Sequence, residues 1–237
     1  PIQIERAMSN FLRLRGKLIP YLDTANYHTS FSGQALIEPM YYQYPDEREA
    51  YEFSNQYLFG SEMFVAPITT PTIEDIGMST ENVWLPEGVW YDFFSGLRYQ
   101  GGTKIKVCRD IDSIPVFVKA GGIVPLNENY MEDPSKLPET ISVQVFPGKD
   151  NCYSMFEHVG EHIAETIFEY NEKSRQLTYT VNDPENILPE NREIKTIIHN
   201  VEENQNELVK AEIMRRLQFT KMSFTAKKEV FRFLPTA

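Results

Sequence analysis

The feature that most constrains the fold is the stretch from Val83 to Leu126, in which short aromatic and β-branched runs alternate with turn residues. The turns are Pro-Glu-Gly, Ser-Gly and Gly-Gly, and both tryptophans, Trp84 and Trp90, lie here. Such punctuated runs are typical of strands joined by tight turns. The Pro-Glu-Gly turn predicts that the two tryptophans lie on neighbouring strands. The centre of the chain is therefore predicted to be β-rich.

Short strands are predicted on both sides of this centre, without a periodicity of helical length between them. This pattern is typical of an antiparallel sandwich or barrel. A polar linker over 127–138 precedes a second β block, and 202–219 predicts a helix with Leu208, Ile213 and Leu217 on one side. Residues 224–234 are predicted as a strand or an irregular tail. The predicted strands are 63–68, 83–85, 89–94, 104–107, 116–118, 123–126, 141–146, 152–156, 164–170, 176–181 and 193–199.

The first 60 residues have a different pattern. A helix is predicted over 2–26, with an apolar stripe from Ile4 to Leu22 and a break or kink at Pro20. A polar loop over 27–33, a buried strand over 35–44 and a helix over 47–58 follow. A lone strand between two helices needs partner strands in a parallel sheet. We therefore expect these residues to be the end of a larger α/β domain.

Charge and cysteine content narrow the classes of partner. The 34 acidic and 23 basic residues give a net charge of −11. An acidic surface argues against nucleic acid or an anionic membrane as the partner, and leaves neutral partners such as sugars open. Cys108 and Cys152 form neither a disulfide framework nor a metal-type pair, which indicates reduced thiols and favours a cytoplasmic location. The sequence shows no signal peptide and no apolar run of about 20 residues.

Six sequence words occur in an order that resembles glycoside hydrolase family 31, the α-glucosidases and α-xylosidases. One of them is Trp-Leu-Pro-Glu-Gly-Val-Trp-Tyr-Asp at 84–92, followed by Ser95-Gly96. The resemblance covers about residues 10 to 126 and continues more weakly over 143–148. The other words are 15–22, 33–45, 56–60, 63–67 and 114–126.

The resemblance implies a fold and an activity. In that family a (β/α)8 barrel carries the chemistry, and two β-sandwich domains follow it. It implies the end of the barrel at 1–60, a proximal sandwich at 61–130 and a distal β domain at 131–237, with a helix near 202–219. The family's two catalytic aspartates work about 5 Å apart and would lie on barrel strands before residue 1. The nucleophile motif Trp-x-Asp-Met-Asn-Glu is absent from this sequence, so this piece is expected to be inactive alone.

Two positions depart from the family's pattern. The family often has arginine before the proline of the final barrel strand, whereas this chain has Glu38-Pro39. A distal turn that often reads Tyr-Glu-Asp-Asp-Gly is here Phe-Glu-His-Val-Gly at 156–160.

Several residues need a functional and a structural interpretation side by side. His158 and His162 match His-x-x-Glu-His, a zinc motif that requires a helix, but Gly160 between them favours a hairpin turn. Asp92 is read as an acid or as a turn residue at a strand end, and the turn is favoured. Glu202, Glu203 and Glu207 are predicted to form a solvated helix start.

Aromatic residues offer a second group of candidates. Trp84, Trp90, Tyr91 and Phe93 could stack on sugars, although such rings in a sandwich more often form core packing, so we expect them to be largely buried. Tyr41, Tyr42 and Tyr44 alternate on the predicted barrel strand, where one could reach substrate.

The sequence thus favours the C-terminal region of a retaining α-glycosidase, with no catalytic, cofactor-binding or metal-binding residue assigned within it. Its expected partners are the rest of the parent barrel and an α-linked oligosaccharide. A non-catalytic carbohydrate-binding module is the alternative. A third reading is an interaction module in which the Ile4–Leu22 stripe forms a homo-oligomer contact.

Overall fold

The computed structural model describes residues 2–74, 77–131 and 136–199, and these fold mainly as β-structure with few helices. The helices are α1 (Ile2–Lys17), α2 (Ile19–Ser32) and α3 (Glu49–Glu52), with a 3-10 turn at Met40–Tyr42. The strands of the first half are β1 (Ile37–Pro39), β2 (Tyr57–Phe59), β3 (Met63–Val65), β4 (Ser79–Leu85), β5 (Val89–Asp92), β6 (Arg98–Gln100), β7 (Thr103–Arg109), β8 (Val116–Lys119) and β9 (Ile123–Asn127). The second half has β10 (Thr140–Val145), β11 (Asn151–Val159), β12 (His162–Asn171), β13 (Gln176–Asn182) and β14 (Glu193–Ile198). The predicted 202–219 helix and the 224–234 segment lie outside the described residues.

The first β block contains a six-stranded sheet and a two-stranded sheet. The larger one has the order β1-β2-β3-β8-β5-β6 and is antiparallel throughout. The smaller one pairs β4 with β7. The prediction that Trp84 and Trp90 lie on neighbouring strands is therefore wrong. The turn at Pro86 carries the chain from one sheet to the other, so the two indoles enter one core from different sheets.

The second β block contains two three-stranded sheets, β14-β10-β9 and β11-β12-β13. The pairing of β10 with β14 is parallel, so this block is not wholly antiparallel as predicted. A parallel pair needs a long connection between its strands, and here the β11–β13 meander lies between them in sequence. Because β9 already occupies one edge of β10, the returning chain pairs with the other edge.

The helical N-terminus differs from the predicted pattern at one point. The helix does break near Pro20, which sits in the first turn of α2, where its missing N–H removes no helical hydrogen bond. However, α2 continues through the predicted 27–33 loop. Hydroxyls in this segment donate hydrogen bonds to carbonyl groups one turn earlier, as Thr29 Oγ1 does to Ala25 O at 2.9 Å. Gly33, with φ of 76°, then ends the helix in a left-handed conformation.

The strand predicted to lack a partner finds one within this chain. β1 is only three residues long and pairs antiparallel with β2, which lies where the end of a helix was predicted. The buried Gln56 side chain explains the change: its Nε2 donates to Trp84 O at 2.9 Å and its Oε1 accepts from Trp84 N at 2.6 Å. This reciprocal pair fixes the start of β2 against β4, and only four residues of the predicted 47–58 helix remain as α3.

Two hydrophobic cores hold the described residues together. The smaller lies between the six-stranded sheet and the β4–β7 pair, and centres on Phe64, Trp84, Trp90 and Phe117. The larger joins α2, the six-stranded sheet and both distal sheets. Residues on both sides of position 130 thus share one core, while the predicted domain boundaries stay predictions. Within the described ranges, no helix has the length and apolar character needed to cross a bilayer.

Candidate functional site

The aromatic centre is core rather than an exposed platform. Trp84, Trp90 and Tyr91 are 5%, 6% and 3% exposed. The Trp90 indole donates its Nε1–H to Pro86 O at 2.9 Å, so its polar edge is also satisfied. Phe93 is partly buried and packs against the larger core. The rings cannot present a flat row of faces to a sugar, and the core interpretation is confirmed.

Asp92 organises the turn after β5, as the turn interpretation predicts. Its Oδ1 accepts from the backbone N–H groups of Phe94 and Ser95 at 3.1 and 2.8 Å and from the Ser95 hydroxyl at 2.9 Å. Its Oδ2 pairs with Arg109 of β7. The carboxylate is buried and these four partners use its lone pairs. Asp92 therefore ties the two sheets together and is not poised for acid chemistry.

The two histidines of the zinc-like motif lie on a hairpin and not on a helix. Val159 of β11 pairs with His162 of β12, and Gly160 turns the chain with φ of 63°. The His162 imidazole lies 3.9 Å from Glu185 on the exposed surface. The hairpin interpretation is confirmed, because strand geometry does not give the helical spacing that the motif needs.

The three candidate tyrosines do not alternate along a strand. Tyr41 and Tyr42 lie in the 3-10 turn after β1 and are 41% and 66% exposed. Tyr41 stacks on Tyr51 with an interplanar angle of 7°. Tyr44 instead packs edge-on against Trp84 at 5.5 Å, and burial raises the pKa of its hydroxyl. The acidic group at 202, 203 and 207 lies outside the described residues.

Sequence reasoning missed Glu62, a buried carboxylate that joins four elements. Its Oε1 accepts from Ser61 Oγ at 2.8 Å and lies 3.0 Å from Lys119 Nζ. Its Oε2 accepts from Ile123 N at 3.1 Å and from Asn151 Nδ2 at 2.9 Å. The only sequence signal was a glutamate placed directly before the buried run at 63–66.

Tyr21 of α2 extends this network. Its hydroxyl donates to Phe59 O at 2.7 Å and accepts from Glu62 N at 3.1 Å. Its ring stacks on Tyr153 of β11 with an interplanar angle of 8°. Burial raises the pKa of Tyr21 well above its ordinary value of 10.0. The phenol therefore stays protonated, and α2 is fastened to both β blocks through it.

A cleft of about 550 Å³ opens beside Glu62, and we name it the Lys119 cleft. One wall is the 87–90 turn with the end of β8 at Lys119, and the other is the 148–151 loop. The second wall is held in place, because Glu172 Oε2 accepts from Gly148 N at 2.7 Å and Asp150 Oδ1 accepts from Glu172 N at 2.7 Å. Carboxylates and lysines line it together with apolar side chains such as Tyr44, Leu58 and Trp90, so it is a cleft of mixed polarity with one wall fixed by hydrogen bonds.

A further buried ion pair, between Glu157 of β11 and Arg192, lies where the chain enters β14. Arg192 Nε also donates to Pro138 O at 3.0 Å. Burial raises the pKa of Glu157, and the Arg192 charge opposes that rise. The pair fixes the entry of β14 into its parallel register, which is a structural role.

Comparison with known proteins shows which family the middle of the chain resembles. The model of the glycosyl hydrolase family 31 C-terminal domain matches residues 33–124. Residues 33–124 are therefore similar to a family 31 C-terminal domain. The matched residues hold β1 to β8, which include the whole six-stranded sheet and the β4–β7 pair. The matched segment thus includes the buried aromatic centre and Glu62.

Curated relatives show a likeness that is longer than the 33–124 match. An α-xylosidase of Saccharolobus solfataricus is 29% identical over 161 residues, 68% of this chain and 21% of that protein. Neutral α-glucosidase C of Mus musculus is 36% identical over 117 residues, 48% of this chain and 12% of that protein.

Two solved structures are similar to this chain in fold. A family 31 α-xylosidase of Xanthomonas citri covers 84% of this chain with a TM-score of 0.72 at 24% identity, and the match is 22% of its own length. A family 31 dextranase of Flavobacterium johnsoniae covers 72% of this chain with a TM-score of 0.62 at 28% identity, again 22% of its length. The present chain thus spans about a fifth or less of the length of these proteins.

Proposed function

We propose that this chain is the C-terminal region of a retaining α-glycosidase that hydrolyses α-glucosides or α-xylosides. The match of residues 33–124 to the family 31 C-terminal domain carries the proposal. In it, 1–60 are the end of the catalytic (β/α)8 barrel, 61–130 a proximal sandwich and 131–237 a distal β domain. The catalytic aspartates belong to another part of the parent, so this region supports the barrel and has no activity alone.

An apolar surface that has no partner within the described residues supports a contact with the rest of the parent. On α1, Ile4, Met8 and Leu12 are 47%, 61% and 65% exposed and recur every four residues, which places them on one face. Phe31 at the end of α2 is 82% exposed. Exposed apolar residues that form a contiguous stripe mark an interaction surface. We assign this α1 stripe to the preceding barrel, and a homo-oligomer contact is the competing occupant.

The first experiment separates the region from the parent. The purified chain is incubated with p-nitrophenyl α-glucoside and p-nitrophenyl α-xyloside, and the parent protein is assayed beside it. We expect turnover by the parent and none by the chain. Turnover by the chain at the parent's rate would show that the catalytic groups lie within these residues.

The second experiment tests the α1 stripe with Leu12→Ala, made in the chain and in the parent. Full burial of a leucine contributes about 1.5–3 kcal/mol, so we expect a loss of about 1–2 kcal/mol of unfolding free energy in the parent only. Val159→Ala is the control, because Val159 is 45% exposed at the distal hairpin and should behave alike in both proteins. Equal effects of Leu12→Ala in the two proteins would contradict the barrel contact, and a concentration-dependent dimer of the chain would favour self-association.

A further inference from the structure

We propose that the Lys119 cleft is a binding site for a neutral polyhydroxylated ligand, a short saccharide. This proposal does not depend on the proposed function. Its volume of about 550 Å³ falls within the range of about 300–1,000 Å³ that small-molecule sites occupy. The interpretation is independent of the aromatic centre, whose rings are used in the core.

The polar groups of the cleft have unused hydrogen-bonding capacity. Lys119 Nζ has three N–H bonds, and its ion-pair partner among the described residues is Glu62 Oε1 at 3.0 Å. Lys149 and Glu87 are exposed on opposite walls. Within the described ranges, neither of these two side chains has an ion pair. Free donors and free acceptors therefore face the same space.

This mixture of groups selects the chemical class of the ligand. Both signs of charge line the cleft, with Glu62, Glu87 and Asp150 against Lys119 and Lys149. The cleft presents neither an all-positive wall to an anion nor an all-negative wall to a cation. A hydroxyl group both donates and accepts, so a ligand with several adjacent hydroxyls can satisfy ammonium donors and carboxylate acceptors together.

The 148–151 wall is fixed before a ligand arrives. Asn151 is held by Glu62, and the loop before it is held because Glu172 accepts from Gly148 N and donates its own N–H to Asp150. A preformed site binds without the cost of ordering its loops. The Lys119 cleft is therefore expected to bind without a conformational change.

The test is a titration of the purified chain with maltotriose, isomaltotriose and, as an anion probe, inorganic phosphate, followed by amide NMR shifts and calorimetry. We expect saturable saccharide binding with shifts at Gly88, Ala120 and Lys149. Lys149→Ala should weaken the saccharide affinity about tenfold, because it removes a hydrogen bond from a charged donor. Lys173→Ala is the matched control, an exposed lysine in the β12–β13 turn, and should leave the affinity unchanged.

Glu87→Gln is the second variant. Because Glu87 is exposed, this substitution should leave the fold intact. It should weaken binding in the same way. Three outcomes would overturn the proposal: no saccharide binding at millimolar concentration, binding of phosphate in place of saccharide, or saccharide affinity that neither variant changes.

Discussion

Removal of the Glu62 carboxylate should destabilise the whole fold, because four elements depend on it. In Glu62→Ala, the N–H of the fully buried Ile123 and the amide of Asn151 each lose their acceptor. A hydrogen bond to a charged group contributes about 1.5–3 kcal/mol, and an unsatisfied buried donor costs about 1–3 kcal/mol. Lys119 is 38% exposed, so its ion pair adds at most about 1 kcal/mol.

These contributions overlap, and we expect a total loss of about 3–4 kcal/mol in the free energy of unfolding. For a chain of this size, that loss lowers the melting temperature by roughly 6–16 °C. Urea denaturation followed by tryptophan fluorescence measures this loss, since both indoles are buried in the folded chain and become exposed on unfolding.

Two further variants serve as comparisons for Glu62→Ala. Glu62→Gln keeps the side-chain volume, but its amide nitrogen must face a donor in either orientation, so it should also destabilise, by about 2 kcal/mol or more. Glu87→Ala removes an exposed carboxylate, and its free energy of unfolding should stay within about 0.5 kcal/mol of that of the unsubstituted chain. A loss below about 1 kcal/mol in both Glu62 variants would refute the view that this carboxylate joins the elements.

Two further changes test the backbone and the pH dependence. Gly60→Ala should cost at least about 2 kcal/mol, because φ is 64° and the new Cβ would lie 2.4 Å from the Tyr21 hydroxyl; Gly160→Ala, with φ of 63° and no atom within 4 Å, should cost only about 1–2 kcal/mol. An equal decrease in melting temperature for the two variants would contradict the expected clash between the new Cβ at position 60 and Tyr21. Burial lowers the pKa of His199 from its ordinary value of 6.5, so its contribution to stability is present above about pH 6.5 and is lost as the pH falls through the folded-state pKa. His199→Gln should flatten this part of the pH–stability curve, whereas the exposed His162→Gln should not; identical curves for the two variants would contradict the assignment.

The β-rich part of the fold was predictable because alternation and turn residues are local signals. The strands predicted over 141–146 and 164–170 appear as β10 and β12 with ends that differ by a few residues. Turn chemistry likewise predicted the roles of Asp92 and Gly160, since an aspartate at a strand end and a glycine at a tight turn act through their own backbone. The structure confirms both.

Pairing partners and the Glu62 network were not predictable, because they depend on residues distant in sequence. Glu62 and Asn151 are 89 positions apart, and nothing in the local sequence of either indicates the other. In the same way, Gln56 determines where β2 begins through bonds to Trp84, 28 positions away. Helical propensity over 47–58 was overridden by this contact.

By itself, the sequence determined that the chain is mainly β, that its aromatic centre is core and that it resembles family 31, because these properties are encoded in short runs and ordered words. Only the tertiary structure decided which strands pair, that β1 has an antiparallel partner, and that a buried carboxylate and a cleft with charged side chains in its lining exist. The reason is physical: strand pairing and the burial of charge are set by contacts that form when distant segments meet, and a linear pattern does not specify those contacts.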